Sequence, residues 1–350
     1  MKREHLFLPV LFISLLINAV SAQEKFIYPS PQWNQAPPQR HGFDSTALEA
    51  IREYISKNLP TTGMMIVVGG ESIFEYGDIV HISYIASCRK SVLATMYGKY
   101  VENGTIDLNK TIGDLQLDDI GGLLPIEKKA TIKDLITARS GVYHDASNSG
   151  DDADVRPPRG SKTPGEYFLY NNWDFNAAGA VFEMLTHKNI YETFHDDIAQ
   201  NIGMQDFKLS NQKKGGDLTV SKFPAYHFYF STRDMARFAY LLLRNGQWAE
   251  KQVVSPEWIK TITSVVTPLD QIIPDRRRDV VAYGYLWWLF MMDHHPAFAG
   301  AYTAKGLRGQ FMTVIPALDM VVALKTDAGS SSTAWKEYYQ LLIRIAEAKL

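Results

Sequence analysis

The chain of 350 residues has a single cysteine, Cys88, so no internal disulfide can form and the fold must rest on its core. It has no surplus of positive charge: 36 Lys and Arg stand against 38 Asp and Glu, for a formal net charge of -2. A nucleic-acid binder needs a basic face to neutralise phosphates, so no nucleic-acid partner is expected. The one basic run, Arg276-Arg277-Arg278, is closed by Asp279 and reads as a solvated loop. Beyond the N-terminus no apolar run is long enough to cross a bilayer. Two common hydrolase signatures are missing as well. Without Gly-x-Ser-x-Gly an α/β-hydrolase nucleophile elbow has no support, and without His-Glu-x-x-His neither has a zinc peptidase. His294-His295 has no spaced carboxylate partner, so no metal site is expected there and no cofactor is called for.

Apolar residues make up 46% of the chain and aromatic residues 12%, which implies a sizeable core in one large domain or two intimately packed ones. At the N-terminus, Lys2 and Arg3 precede an apolar stretch from Leu6 to Val20, followed by the small residues Val20-Ser21-Ala22. That is the three-part pattern of a secretory signal. The expectation is a signal peptide over 1–22, cleavage after Ala22, a secreted or periplasmic location, and no stable membrane anchor afterwards. Residues 23–43, rich in Pro and Gln, read as an extended lead-in, and 44–350 as the folded domain.

Within that domain Leu48, Ile51 and Ile55 recur at helical spacing behind the cap candidates Asp44 and Ser45. Met64 to Val68 and Ile73 to Tyr76 flank Gly69-Gly70-Glu71-Ser72 as a β-hairpin. From about 84 to 258 the signals are mostly helical. Thr131 to Asp134 and Ser231 to Asp234 have capping-box form, and Ser255-Pro256 starts a further helix. Strand patterns return at Phe311 to Ile315 and Met320 to Lys325, before a last helix with Trp335, Tyr338, Leu342 and Ile345 on one face. The predicted architecture is α/β (α+β): an antiparallel sheet flanked by helices, with an all-helical lobe inserted at about 84–258.

Three features carry chemistry. Ser87 and Lys90 lie three apart at the start of a helix, on one face, so the amine can reach the hydroxyl. A serine needs a neighbouring base to become a nucleophile, and a lysine serves only where burial or charge favours its neutral form. The bare pattern recurs at Ser210 to Lys213 in a polar loop, where it reads as chance. Tyr170-Asn171-Asn172 precedes a helix; it offers a phenol that acts as a base only beside a cation such as Lys90, and an amide to orient it. Taken singly, it also fits a turn tyrosine with an asparagine cap. Ala304 to Gln310 contains Gly306 and Gly309, where glycine lets a substrate approach the backbone N–H groups; a Gly-rich hairpin bend fits it too. Cys88 is a nucleophile on paper but points about 100° away from Ser87 on a helix. Tyr143-His144, after the Thr131 helix, is a candidate for the cleft lining, with a surface or core role an equal reading. Asn103-Gly104-Thr105 and Asn109-Lys110-Thr111 are glycosylation sequons.

Together these features resemble the serine β-lactamase and penicillin-binding-protein superfamily, in particular the class C β-lactamase-like group with its D,D-peptidases, esterases and nylon-oligomer hydrolases. The resemblance runs in order through nearly the whole mature chain. It passes from the hairpin Met64 to Tyr76 through Ser87-Cys88-Arg89-Lys90, Thr131 to Gly141 and Pro164-Gly165 before Tyr170-Asn171-Asn172. It continues with Ser231 to Phe238, Tyr283 to Trp288, and Gly309-Gln310 through Val322. It implies the β-lactamase/transpeptidase-like fold, Ser87 as nucleophile, Lys90 as the lysine that helps deprotonate it, and Tyr170 as base and proton donor. Asn172 matches the asparagine of the second motif, and the N–H groups of Ser87 and Leu307, beside Gly306, match an oxyanion hole. The substrate would be a small molecule or peptide.

One departure stands out. The third motif of that superfamily opens with a cation, usually in Lys-Thr-Gly or His-Thr-Gly, whereas here Ala304 takes that place and Lys305 the threonine's. Side chains alternate along a strand, so Lys305 is expected to point away from the missing cation's position, leaving Arg308 as a substitute candidate. This favours an esterase, amidase or peptidase over an efficient β-lactamase. The rival readings are a catalytically silent protein that binds peptidoglycan fragments or a partner, and a penicillin-sensitive D,D-peptidase.

Overall fold

Gly69 and Gly70, at φ of 61° and 92°, turn the chain back on itself between two strands, the left-handed pair that a tight hairpin demands. A side chain at Gly70 would lie 2.0 Å from the Ile27 carbonyl oxygen, so the position also excludes bulk. The computed structural model describes residues 26–148, 152–274, 281–291, 295–327, 329 and 331–350. The signal peptide over 1–22, the run Arg276-Arg277-Arg278 and His294 lie outside the described residues.

Helix α1 (Ser45–Asn58) is capped by Asp44 and buries Leu48, Ile51 and Ile55, as the spacing predicts. The hairpin strands are β1 (Gly63–Val68) and β2 (Glu71–Gly77), followed by the short β3 (Ser83–Tyr84). Helix α2 (Cys88–Glu102) is buried on nearly every face, and α3 (Ile132–Ile136) starts with the expected capping box of Thr131 and Asp134. Then come α4 (Asn172–Thr186), α5 (Ile190–Phe194), β4 (Lys213–Gly215), β5 (Ala225–His227) and β6 (Tyr229–Phe230). Helix α6 (Thr232–Leu243), β7 (Gln247–Trp248), β8 (Lys251–Gln252) and α7 (Pro256–Ile262) lead back to the sheet. Strands β9 (Val281–Tyr283), β10 (Trp288–Phe290), β11 (Tyr302–Gly306), β12 (Gln310–Ile315) and β13 (Met320–Lys325) and helix α8 (Trp335–Glu347) complete the chain.

The main sheet has seven antiparallel strands in the order β2-β1-β13-β12-β11-β10-β9, so the two ends of the chain meet at β1 and β13. Alternation assigns its faces. Phe311 stacks on Tyr338 of α8 at 4.0 Å, and Lys305 pairs with Phe311, so both face α8. Ala304 and Met312 pair on the opposite face, where α2 and α6 pack.

Two expectations are corrected. The lobe between 84 and 258 is not all-helical, because three short two-stranded sheets, β3 with β6, β4 with β5 and β7 with β8, are set among its helices. Its boundary also shifts. Helix α6 packs on β1, β12 and β13 with Met235, Phe238, Ala239 and Leu242 buried, and thus belongs to the sheet layer. Ser231 caps α6, but Asp234 does not close the box: its carboxylate accepts from the N–H groups of Gln205 and Asp206 at 2.7 and 2.9 Å.

Candidate active site

Ser87 sits where the chain turns from β3 into α2. The residue before it, Ala86, has a φ of 49°, a left-handed conformation that costs a non-glycine residue about 1–3 kcal/mol and is held only where the surroundings enforce it. Here the Ile85 N–H donates to the Phe228 carbonyl at 3.0 Å, and the Arg89 N–H to the Ala86 carbonyl at 3.2 Å. The Cys88 thiol donates to the Gln310 carbonyl at 3.2 Å, which ties α2 to β12; burial pushes its pKa well up, so it is a structural thiol and not a rival nucleophile.

One turn into α2, Lys90 is almost completely buried. Its Nζ lies 3.1 Å from Ser87 Oγ, 2.8 Å from Tyr170 OH and 2.8 Å from Asn172 Oδ1. The rings of Tyr170 and Phe175 face it at 4.1 and 4.3 Å. Asn171 explains how the tyrosine is placed: its side chain caps α4 by accepting from the Trp173 N–H at 3.0 Å and donates to the Val142 carbonyl at 2.6 Å. The asparagine cap and the amide that meets the lysine are therefore two different residues. Arg89 points to the back of the lobe, with Asn176 Oδ1 at 2.9 Å and the Tyr226 ring at 4.3 Å.

The second serine–lysine pair lies apart from this cluster. Ser210 and Lys213 are exposed, and Lys213 stands over the Tyr229 ring on β6. No histidine is among the described residues that line the Ser87 cleft. His227, packed at a tilt on Tyr84 at 4.7 Å, is pushed down to about 4 by burial and by Arg89 and Lys213, so it is neutral near pH 7.

The cleft above Ser87 measures about 200 Å³. Of the expected residues, Ser87, Tyr170, Gly306, Leu307 and Arg308 line it, and Lys90 and Asn172 lie beneath. Tyr143 does not. Its ring is buried and borders a separate hollow with His144, Arg156 and Arg159. There the two His144 ring nitrogens lie 2.8 and 2.7 Å from the carbonyls of Asp145 and Ile120.

Among the cleft residues that escaped sequence reasoning are Trp288, Lys305 and Trp335. Lys305 leaves β11 on the face opposite Ala304, as alternation requires, yet its ammonium ends in the cleft mouth, 4.7 Å from the Trp288 ring and 3.9 Å from the Trp335 ring. The four-carbon stem lets the charge snorkel past the strand edge. Lys325, at the end of β13, was missed as well. It donates to the carbonyls of Ser83, at 3.2 Å, and Phe230, and so fixes β3 four residues upstream of the nucleophile. Burial pushes it down to about 7, against a partial upward pull from Asp327. Below pH 7 both folded and unfolded chains carry this proton; between about 7 and 10.5 only the unfolded chain does, so stability rises with pH across that window. Relative to Lys325→Met, the wild-type Tm is expected to climb by several degrees between pH 6.5 and 9.5. Parallel melting curves for the two proteins would count against it.

A family model described as Beta-lactamase matches residues 49–342. Among solved structures, the chain is similar to a Bacillus anthracis protein assigned as a 6-aminohexanoate-dimer hydrolase. That match has 20% identity, 90% of this chain and 87% of the other covered, and a TM-score of 0.67. A penicillin-binding-protein homologue from Caulobacter crescentus matches at 14% identity, over 91% and 99% of the two chains, with a TM-score of 0.62. EstCE1, a hydrolase with promiscuous acyltransferase activity, matches at 13% identity, over 87% and 97%, also at 0.62. No curated protein matches the chain. At these identities the solved structures speak for the fold, which is the β-lactamase/transpeptidase-like one.

Proposed function

The chain belongs to the Beta-lactamase family of serine hydrolases, and from that premise we propose that it cleaves an ester or amide through an acyl-enzyme on Ser87. One observation carries this reading: a single buried amine, Lys90 Nζ, is in hydrogen-bond reach of both the Ser87 hydroxyl and the Tyr170 phenol at the floor of an open cleft. Asn172 Oδ1 can only accept, so it fixes one Lys90 N–H and with it the direction of the others. Ser87 Oγ attacks the carbonyl carbon while its proton passes to the Lys90–Tyr170 pair. Collapse of the tetrahedral intermediate breaks the bond to the leaving group, which takes a proton from Tyr170. Water then attacks the acyl-enzyme by the same route in reverse and frees Ser87. The oxyanion is assigned to the N–H groups of Ser87 and Leu307, on either side of the Gly306–Ala86 contact.

Ala304 supports an ester, amide or peptide bond over a β-lactam. It is fully buried and apolar where the superfamily's carboxylate-binding cation would stand. The test is covalent. A fluorophosphonate probe is expected to add once per chain, on the peptide that carries Ser87, and p-nitrophenyl esters to turn over faster than nitrocefin. An unlabelled folded protein would point to a silent binder instead. Stable labelling by fluorescent penicillin with release of D-Ala would point to a D,D-peptidase.

A further inference from the structure

Tyr170 is boxed by aromatic rings: Phe175 at 4.8 Å, Tyr283 at 6.2 Å and Trp288 at 5.6 Å, the last with its plane tilted only 31° from the phenol. Trp288 is in turn packed edge-on against Tyr283 at 4.7 Å. Trp288 thus touches Tyr170, and the Lys305 ammonium lies over both the Trp288 ring and the ring of Trp335, the first residue of α8. Three separate parts of the chain meet here: the loop before α4, the β10–β11 pair and the start of α8. The carboxylate nearest in sequence to Trp335, Glu337, turns back to accept from the Ala334 N–H at 2.8 Å.

We propose that Lys305 is a positioning residue for Tyr170: clasped between Trp288 and Trp335, it holds the Trp288 ring against the phenol and places a second positive charge behind it. The inference rests on the hydrolase reading above. Cation–π attraction is strongest for indole and grows as water is excluded, so the clasp resists rotation of Trp288. The ammonium also acts through space. At an effective dielectric near 20, a unit charge about 10 Å away favours a phenolate by about one pH unit. Both effects serve a tyrosine that must give up and regain a proton.

The experiment uses the full chain and an uncharged ester, p-nitrophenyl butyrate, with active sites counted by fluorophosphonate titration so that misfolded protein does not weigh on the rate. Lys305→Met is expected to lower kcat about tenfold with KM changed by less than about threefold, since Tyr170 is displaced and the ester has no charge to lose. The acid limb of its pH–rate profile should move up by about half to one unit. Lys305→Arg should recover kcat to within about threefold and restore the limb, because a guanidinium stacks on indole as well as an ammonium does. An unmoved acid limb in Lys305→Met overturns the inference, as does an arginine variant as impaired as the methionine one. A loss confined to KM for a carboxylate-bearing ester, with p-nitrophenyl butyrate unaffected, overturns it too, for Lys305 would then be a substrate contact. These outcomes are separable from failure of the parent reading. If Ser87→Ala labels as well as wild type, the hydrolase assignment falls first; if Ser87→Ala is silent and Lys305→Met behaves as wild type, only the present inference falls.

Discussion

Lys90→Met is expected to lower kcat by about 10⁴-fold while leaving the protein folded. Activity is lost because Lys90 is the hub of the site: Ser87, Tyr170 and Asn172 all meet at its Nζ. Remove the amine and the serine keeps a hydroxyl with an ordinary, very high pKa, and the tyrosine loses the cation that makes a phenolate accessible. Groups that act as a unit fail as a unit, so the effect should approach that of Ser87→Ala. Folding is retained through a balance of opposing effects. The amine is buried between the rings of Tyr170 and Phe175, and a buried cation carries a desolvation cost of several kcal/mol. Methionine has nearly the same length and its sulfur suits an aromatic pocket. Against that relief stands the loss of the Lys90 hydrogen bonds to the Asn172 carbonyl oxygen and the phenol, at about 1–3 kcal/mol each. The terms nearly cancel, so the melting temperature should shift by only a few degrees. Turnover on p-nitrophenyl butyrate and thermal denaturation check the two halves. A variant that keeps a tenth of wild-type kcat would remove Lys90 from the mechanism.

How much of this was readable from the chain alone follows from where the residues lie. Ser87 and Lys90 are three apart, and the helix delivers them to one another, so local periodicity suffices. The hairpin at Gly69-Gly70 and the cap at Thr131 are local in the same sense. Tyr170 and Asn172 are some 80 residues away from Lys90, and only the order of the motifs, matched to a superfamily, brought them in; nothing in their own spacing distinguishes them from a capped turn. The duplicate at Ser210 shows the limit of the local signal, because the same letters, on a short exposed turn and the start of β4, lie away from the Ser87 cleft. Trp335 illustrates a different failure. Its helical spacing is correct and α8 does bury Tyr338, Leu342 and Ile345, but Trp335 is the helix's first residue and reaches past the core into the cleft mouth. Lys305 was placed on the correct side of its strand and still misjudged, since alternation fixes the β-carbon and not the end of a long side chain. Tyr143, two residues past the motif that ends at Gly141, takes the core role that was the alternative to a place in the cleft. Asp234 has the right residue type three positions after a serine cap, yet the loop at Gln205 and Asp206 competes for its carboxylate and wins two backbone donors.

Gly306→Ala is the second variant with a large expected effect, a fall in kcat of about 10²-fold or more, and it tests the site from the strand side. Gly306 is the last residue of β11 and adjoins both sides of the proposed oxyanion site. A β-carbon there would lie 2.6 Å from the Ile85 carbonyl oxygen, 2.8 Å from Gln310 Cβ and 3.3 Å from Ala86 Cβ. No flexible side-chain end is available to yield. The Ile85 carbonyl belongs to a segment already fixed by its N–H bond to Phe228 and by the start of α2, and Gln310 is the register partner of Gly306 in β12. Relief must come from sliding the end of β11 away from the Ala86–Ser87 turn. That motion separates the Leu307 N–H from the Ser87 N–H, and a donor displaced by even part of an ångström loses most of its hold on a developing oxyanion. The overpacking itself should cost about 1–3 kcal/mol of stability, so kcat must be read well below the melting transition. Because Ser87, Lys90 and Tyr170 are left in place, fluorophosphonate labelling of Gly306→Ala should slow and still go to completion on Ser87. That separates it from Lys90→Met, where labelling itself should nearly stop. Wild-type kcat in Gly306→Ala would mean that β11 contributes no donor to the reaction, and the oxyanion would have to be stabilised from elsewhere in the cleft.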